Sequence, residues 1–188
     1  MSDIKLNLGC GEKRLPGYLN VDKFGTPDLK HDLESFPWPW EANSISEISL
    51  IHVLEHLGKE TEVYFGIFKE MYRICKHGSK IRIVVPHFRH EFFYHDPTHV
   101  RVVTPLGLQL FSKKKNKIWI KKGGANSLLG LYLNIDFELK QTIIKPSQDW
   151  FRLHPEQNVD INLLNQESSI YNNLIEQYDM TLEVIKDN

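Results

Sequence analysis

The segment from Leu6 to Asp22 constrains the fold more than any other part of the chain. Apolar residues at positions 4, 6 and 8 alternate with polar ones, which predicts a β-strand. Gly9 and Gly11 follow at once, and glycine lets the backbone turn tightly and approach a ligand closely. A second short strand ends at Asp22, and open parallel sheets bind ligands at the carboxyl ends of their strands. The segment therefore predicts a small-molecule site made of two glycines and a carboxylate.

The spacing within this segment argues against a dinucleotide site. That fingerprint needs a third glycine, a helix and an acid about 20 residues later. Here Arg14 stands at the third glycine position, and Asp22 follows Gly11 by only 11 residues. Pyrophosphate is held at a helix N-terminus, and this interval has no room for more than a single helical turn. A nucleoside without phosphate needs only an acceptor for its ribose hydroxyls, which Asp22 can provide. S-adenosylmethionine (SAM) is such a ligand.

Further segments follow in a fixed order, and together they resemble a known family. They are Leu6–Gly11, Asn20–Asp22, Asp32–Leu33, His52–Leu57 and Asp96–Arg101. Over about the first hundred residues the chain resembles class I SAM-dependent methyltransferases of the short glycine-loop type, methyltransferase type 11-like. The resemblance implies an α/β, Rossmann-like fold with a mostly parallel seven-stranded sheet flanked by helices. The last strand is expected to be antiparallel and the first crossover helix to be much reduced.

The resemblance also implies which residues bind SAM. Asp32 is expected to face the adenine amino group, and the backbone amide of Leu33 to bond the ring. His52 follows the fourth strand and is expected near the methionine part of SAM, while Glu55 and His56 hold the following turn. The predicted cofactor-binding residues are Leu8, Gly9, Cys10, Gly11, Asp22, Asp32, Leu33 and His52.

A histidine-rich segment, His87–Arg101, follows the predicted fifth strand and is expected to lie over the crevice. It contains four histidines, two carboxylates and two arginines. An alcohol or amine loses a proton when it is methylated, and histidine can accept a proton near neutral pH. The candidate catalytic residues are therefore His87, His95, Asp96 and His99. The sequence leaves open which of them acts, and local backbone capping by Asp96 and Thr98 is the structural alternative.

The same segment gives no recognisable metal-ligand spacing. His95 and His99 would share a helix face, but Pro97 lies between them, and no regular element aligns His87 with His90. We therefore expect no metal ligands. A metal-dependent enzyme that uses the His87–His99 cluster remains an alternative.

Several elements outside these motifs can also be predicted. The apolar spacing over Thr61–Cys75 predicts a helix, and Ile81–Pro86 is typical of a buried strand. Leu131–Ile144 alternates as a long strand does, and Pro146–Asp160 is typical of a loop. We expect a helix over Asn162–Tyr178 and a final strand over Met180–Ile185, and we interpret the lysines of residues 113–122 as a solvated loop or a patch for an anion.

Composition limits the remaining possibilities. The chain has 188 residues, 41% of them hydrophobic, with a net charge of −1. We expect a single domain over residues 1–188 with a lid or substrate segment around residues 87–130. The charge attracts neither nucleic acid nor a membrane surface, and we expect neither a membrane span nor a signal peptide. Cys10 and Cys75 are the only cysteines, which indicates the cytoplasm rather than a disulfide framework.

The sequence thus predicts a SAM-dependent methyltransferase that acts on an oxygen or nitrogen of a small molecule or carbohydrate-like acceptor. The alternative from another class is a non-catalytic SAM-fold protein that serves in binding or regulation. No membrane or nucleic-acid partner is expected. The sequence leaves the acceptor and the oligomeric state undetermined.

Overall fold

A computed structural model describes residues 3–155 and 158–186, and its centre is a seven-stranded sheet. The strands are β1 (Ile4–Leu8), β2 (Leu19–Asp22), β3 (Leu29–Lys30), β4 (Ile45–Ile51), β5 (Cys75–Pro86), β6 (Phe137–Pro146) and β7 (Ile175–Val184). Their order in the sheet is β3-β2-β1-β4-β5-β7-β6. Neighbours from β3 to β5 are parallel, and β7 is antiparallel to both β5 and β6. The predicted mixed sheet with an antiparallel last strand is confirmed.

The connection from β1 to β2 contains no helix, which confirms the reduced first crossover. Two asparagines on neighbouring strands hold this loop instead. The buried Asn7 side chain donates to the Lys13 carbonyl at 2.8 Å and to the Asn20 side chain at 2.9 Å. The Asn20 oxygen also accepts the Leu15 N–H at 2.8 Å. These side chains satisfy backbone groups that a crossover helix would satisfy internally.

Seven helices occur among the described residues. They are α1 (Thr61–Ile74), α2 (Glu91–His95), α3 (Pro105–Gln109), α4 (Lys113–Lys121), α5 (Leu129–Tyr132), α6 (Gln148–Leu153) and α7 (Ile161–Ser168), and a 3₁₀ turn covers Leu54–His56. Only α1 is longer than nine residues. None of the helices in the described ranges has the length and apolar composition needed to span a membrane.

The prediction of a loop at the lysine run and of one strand over Leu131–Ile144 is wrong. The lysine run is helix α4, because the Ser112 side chain caps it by accepting the Lys115 N–H. The first part of the predicted strand belongs to α5. The buried Asn116 side chain of α4 accepts the Leu131 N–H at 3.2 Å, and this tertiary contact outweighs the alternating pattern.

The predicted elements near the carboxyl terminus are also wrong in their bounds. The predicted loop Pro146–Asp160 contains α6, and its residues 156–157 lie outside the described residues. The predicted helix Asn162–Tyr178 is only α7, capped by the Asp160 side chain. β7 starts at Ile175, earlier than predicted, because it pairs along its length with both β5 and β6.

The core lies between one face of the sheet and the apolar stripe of α1. The stripe consists of Tyr64, Ile67, Phe68, Met71 and Ile74, all buried. The Phe68 ring stacks on Phe111 with ring centroids 4.0 Å apart. Phe111 follows α3, so this contact fixes the connection from β5 to β6 against the same face.

The other face of the sheet is polar and carries ion pairs between strands. Lys5 pairs with Glu47 at 2.8 Å, Arg82 with Asp179 at 2.6 Å, and Lys80 with Glu183. The side chains of Lys80 and Arg82 are about half exposed although β5 is a central strand. Among the described residues no helix covers this part of the face. The connections from β1 to β4 contain no α-helix, which agrees with the exposure of this face.

Candidate active site

A cleft of about 210 Å³ lies at the carboxyl ends of β1, β2 and β4. Its lining residues are Gly9, Asp22, Lys23, Phe24, His31, Asp32, Leu33, His52, Val53, His56 and Leu57. Five predicted cofactor-binding residues thus surround one space. The predicted Leu8, Cys10 and Gly11 do not line it, and Leu8 and Cys10 are buried beside it.

The glycine loop brings its backbone close to the start of the 3₁₀ turn. Gly9 has a φ of +66°, and a Cβ there would lie 2.5 Å from the Val53 side chain. Gly11 also has a positive φ, of +48°, but a Cβ there would have nothing within 4 Å. Gly9 is therefore required by packing, whereas the space beside Gly11 is open to a ligand.

Asp22 at the end of β2 is held by two backbone groups. One carboxylate oxygen accepts the Gly11 N–H and the other accepts the Phe24 N–H, each at 2.8 Å. These bonds orient the side chain at the edge of the cleft. Each carboxylate oxygen can accept a further hydrogen bond, so the group can still receive two hydroxyl donors.

Asp32 and Leu33 also line the cleft. The Asp32 carboxylate accepts the Glu34 N–H at 3.0 Å and lies 3.6 Å from the Lys23 ammonium. The Leu33 carbonyl accepts the Trp38 indole N–H at 3.1 Å, which fixes the backbone here. The Leu33 N–H makes no hydrogen bond with any residue in the described ranges. It is available as a donor, as the resemblance implies.

His52 closes the cleft at the end of β4. Its φ is +56°, a conformation that L-residues seldom adopt, and its N–H donates to the Val84 carbonyl at 2.9 Å. Its ring nitrogen Nδ1 lies 3.4 Å from a carboxylate oxygen of Glu55. Backbone strain of this kind is often found at ligand-binding positions.

Two histidines of the segment His87–Arg101 are buried away from the cleft. His87 is 4% exposed, accepts the Arg89 N–H with its Nδ1 at 3.2 Å and packs edge-on against Tyr178. Burial lowers the pKa of His87 to about 4, so its ring is neutral and weakly basic near pH 7. His90 caps α2 by accepting the Phe92 N–H. Neither ring lines the cleft.

His95 and Asp96 are exposed. His95 is 3.9 Å from Glu91 on the short helix α2, and its side chain is about two-thirds exposed. Asp96 accepts both the N–H and the hydroxyl of Thr98, at 2.8 and 2.6 Å, and these bonds lower the pKa of its carboxyl group. This is the local capping that was the structural alternative for Asp96.

His99 lies against the wall of the cleft. Its ring packs edge-on against that of His56, with centroids 4.5 Å apart. The chain is anchored here because the N–H groups of Val100 and Arg101 both donate to the Glu55 carbonyl, at 2.9 and 3.0 Å. Of the four candidate catalytic residues, His99 is the one in contact with a cleft residue.

Three of the remaining lining residues come shortly after the strands that carry the predicted ones. Lys23 and Phe24 come after β2, and Val53 comes after β4. The rule that ligands bind beyond the carboxyl ends of strands could have identified them. His56 was expected only to hold a turn, and no spacing signal in the sequence pairs it with His99.

Solved structures resemble this chain in fold. A SAM-dependent methyltransferase from Archaeoglobus fulgidus matches with a TM-score of 0.60 and 18% identity, over 96% of this chain and 86% of that one. The chain has the class I methyltransferase fold. A SAM-dependent methyltransferase from Methanosarcina mazei matches this methyltransferase fold with a TM-score of 0.56 and 12% identity, over 99% and 94%.

A third similar structure carries ligands. It is the Burkholderia thailandensis 1,6-didemethyltoxoflavin-N1-methyltransferase with bound 1,6-didemethyltoxoflavin and S-adenosylhomocysteine (SAH). It matches with a TM-score of 0.52 and 11% identity, over 97% of this chain and 71% of that one. Two further structures with this fold are named as methyltransferases of geranyl diphosphate and of a 16S ribosomal RNA adenine. Neither a protein-family model nor a curated protein matches the sequence. The fold therefore leaves the acceptor open.

The buried His87 gives a testable pH dependence of stability. Its pKa is about 4 in the folded protein and about 6.5 in the unfolded chain. Below pH 6.5 the unfolded chain thus binds more protons than the folded protein does. The contribution of His87 to the free energy of unfolding is therefore complete above that pH and is lost as the pH falls towards 4. We expect the wild type to lose about 2 kcal/mol at pH 5 through this residue.

The variant His87→Asn tests this expectation, because the asparagine oxygen can still accept the Arg89 N–H. Urea unfolding at pH 5 and pH 7.5 should give a smaller difference in the free energy of unfolding for the variant than for the wild type. His95→Asn, at an exposed position, is the control and should keep the wild-type difference. Equal differences for wild type and His87→Asn would contradict the assignment.

Proposed function

We propose that this protein is a SAM-dependent methyltransferase. The observation that carries the proposal is the Asp22 carboxylate, which two backbone N–H groups orient at the edge of a cleft beside an open glycine position. The same cleft contains the unbonded Leu33 N–H for a purine ring. The connection from β1 to β2 contains no helix, so the site lacks the helix N-terminus that holds pyrophosphate in dinucleotide sites.

The residues present fit SAM, and each part of the cofactor has a candidate partner in the cleft. Asp22 would accept the ribose hydroxyls, Asp32 and the Leu33 N–H would recognise adenine, and His52 would lie near the methionine part. Gly9, Cys10 and Gly11 would contribute their backbone, with Leu8 positioning them from β1. When bound, SAM supplies an activated methyl group on a sulfonium.

The segment His87–Arg101 would cover the acceptor. Alignment of the acceptor is the main requirement for transfer of an activated methyl group, and the acceptor must also lose a proton. Among His87, His95, Asp96 and His99, the geometry favours His99, because its ring contacts His56 in the cleft wall. Its Nε2 atom either takes the proton or holds an ion that makes the acceptor more acidic. We propose an oxygen or nitrogen acceptor on a small molecule or sugar-like group.

Calorimetry with SAM and SAH tests the proposal directly. We expect micromolar binding, on the order of 8 kcal/mol, for both. ATP and NAD⁺ are the matched controls, because they carry the same adenosine with phosphates that this site cannot cradle, and we expect both to bind far more weakly. Absence of SAM and SAH binding, or tighter binding of ATP, would contradict the proposal. A protein that binds SAH but methylates nothing in a broad acceptor screen would instead favour a regulatory SAM-binding role.

A further inference from the structure

Glu55 is a buried carboxylate without a hydrogen-bond partner in the described part of the chain. Its side chain is 1% exposed, and neither carboxylate oxygen accepts a hydrogen bond from any described residue. The His52 Nδ1 lies 3.4 Å from one of these oxygens without forming a hydrogen bond. Burial of a charge that accepts no hydrogen bond is costly, so this position favours a cation or a proton. The Arg101 guanidinium donates to the Gly58 carbonyl and lies 4.5 Å over the Tyr64 ring, while its buried Nε makes no hydrogen bond with a described residue.

His56 presents an unprotonated nitrogen beside this carboxylate. Its Nδ1 lies 2.8 Å from the Thr98 hydroxyl oxygen. The Thr98 hydroxyl donates its only hydrogen to Asp96 at 2.6 Å, so its oxygen accepts from His56. The proton of neutral His56 is therefore on Nδ1, and Nε2 keeps its lone pair.

His99 has the same tautomer for an equally simple reason. Its Nδ1 lies 2.8 Å from the Phe93 carbonyl oxygen, which can only accept a hydrogen bond. Nε2 of His99 therefore also keeps its lone pair when the ring is neutral. Histidines that bind metals typically donate their other N–H to a carbonyl or to a hydrogen-bonded polar group, as both of these rings do.

The three groups converge on one point. One ligand atom from each of Glu55, His56 and His99 lies within 4.8 Å of the other two. Ligands that share an ion at about 2.1 Å are about 3 Å apart, so closure by less than about 2 Å is needed. We propose that Glu55, His56 and His99 bind a divalent transition-metal ion.

The donor set indicates the chemical class of the ion. Two imidazoles and one carboxylate suit Zn²⁺, Mn²⁺, Fe²⁺ or Co²⁺ better than Ca²⁺ or Mg²⁺, which prefer oxygen ligands. Three protein ligands leave at least one position for an exogenous ligand, as in catalytic rather than structural zinc sites. His56 lines the cleft together with His52, so an ion held by His56 would be accessible from the cleft.

The open position suggests what such an ion would do. An ion at this point would hold a hydroxyl of the acceptor and lower its pKa, which favours an oxygen acceptor. This consequence rests on the proposed methyltransferase function, whereas metal binding by the three side chains does not.

Metal titration of chelator-stripped protein tests the site. Calorimetry with Zn²⁺ and Mn²⁺, and visible absorption with Co²⁺, should show one ion bound per chain. His99→Ala and His56→Ala should weaken binding at least about tenfold. His95→Ala is the matched control from the same segment and should bind as the wild type does. Metal should raise the thermal midpoint of the wild type and of His95→Ala, but not of the two ligand variants.

Two outcomes would overturn the proposal. One is a wild type that binds none of these ions more tightly than His99→Ala does. The other is equal loss of binding in His95→Ala. The thermal midpoint of each metal-free variant reports whether it folds, and Glu55→Gln provides a second variant in case a histidine variant unfolds. SAH titration of the same samples separates the two proposals, because metal binding without SAH binding contradicts only the methyltransferase function.

Discussion

Replacement of Asp22 by alanine is expected to weaken SAH binding about 100-fold, or about 3 kcal/mol. The carboxylate would accept both ribose hydroxyls, and each hydrogen bond to a charged group contributes about 1.5 to 3 kcal/mol. The variant also loses the acceptor of the Gly11 N–H, so the loop becomes less well ordered for the ligand. Calorimetric titration of SAH into both proteins measures the change in dissociation constant.

The control for Asp22→Ala is Glu12→Ala in the same loop. Glu12 is exposed and does not line the cleft, so its removal changes the net charge equally without touching the proposed site. We expect Glu12→Ala to bind SAH within about twofold of the wild type, since exposed charges contribute little. Comparable affinities for Asp22→Ala and wild type, or equal losses in both variants, would place SAH elsewhere.

The first half of the fold could be predicted because its local signals agree. The alternation in β1, the paired glycines and the short interval to Asp22 together exclude a crossover helix, and the structure has none. The position of β7 between β5 and β6 could not be derived from periodicity. Only its antiparallel direction came with the family resemblance, because strand order depends on contacts between distant segments.

The second half was harder to predict because tertiary contacts override weak local patterns there. Gly130 in α5 has backbone contacts to the segment before α4, and a Cβ would lie 2.8 Å from the Lys113 nitrogen. Nothing in the alternating sequence around Leu131 indicates that contact. Local propensity alone therefore favoured a strand where packing against α4 imposes a helical turn.

The sequence predicted those residues of the cleft that follow a strand closely in the chain. Residues after β2 and β4 meet at the cleft because parallel strands end at the same edge of the sheet. The group of Glu55, His56 and His99 could not be predicted from the sequence, because His99 comes from a loop more than forty residues away in the chain. Which nitrogen of each histidine keeps a lone pair depends on Thr98 and on the Phe93 carbonyl, and sequence spacing carries no information about such contacts.

Replacement of Gly9 by alanine is expected to destabilise the protein by about 3 kcal/mol. A Cβ there meets the Val53 side chain at 2.5 and 2.6 Å, and overpacking of this kind costs about 1 to 3 kcal/mol. The φ of +66° adds about 1 to 2 kcal/mol of backbone strain. Urea unfolding of the variant and the wild type measures the loss in free energy of unfolding.

The second variant Val53→Ala separates these two costs. It removes the two methyl groups that lie nearest to the added Cβ, so the double variant should recover the overpacking part and keep the backbone strain. A double-mutant cycle should give a favourable coupling of about 1 to 2 kcal/mol. Simple additivity of the two single variants would show that the Val53 contact does not explain why position 9 is glycine.

Gly11→Ala completes the comparison because it has the backbone strain without the clash. A Cβ at position 11 has nothing within 4 Å, so we expect a loss of only about 1 kcal/mol in stability. If SAH lies along this loop as proposed, the same Cβ would occupy space that the ligand needs, and SAH affinity should therefore fall more in Gly11→Ala than its stability does. A Gly11→Ala variant that binds SAH as the wild type does would mean that no ligand approaches this part of the loop. The two glycines thus differ in what requires them, since the packing of Val53 requires the first and the proposed ligand requires the second.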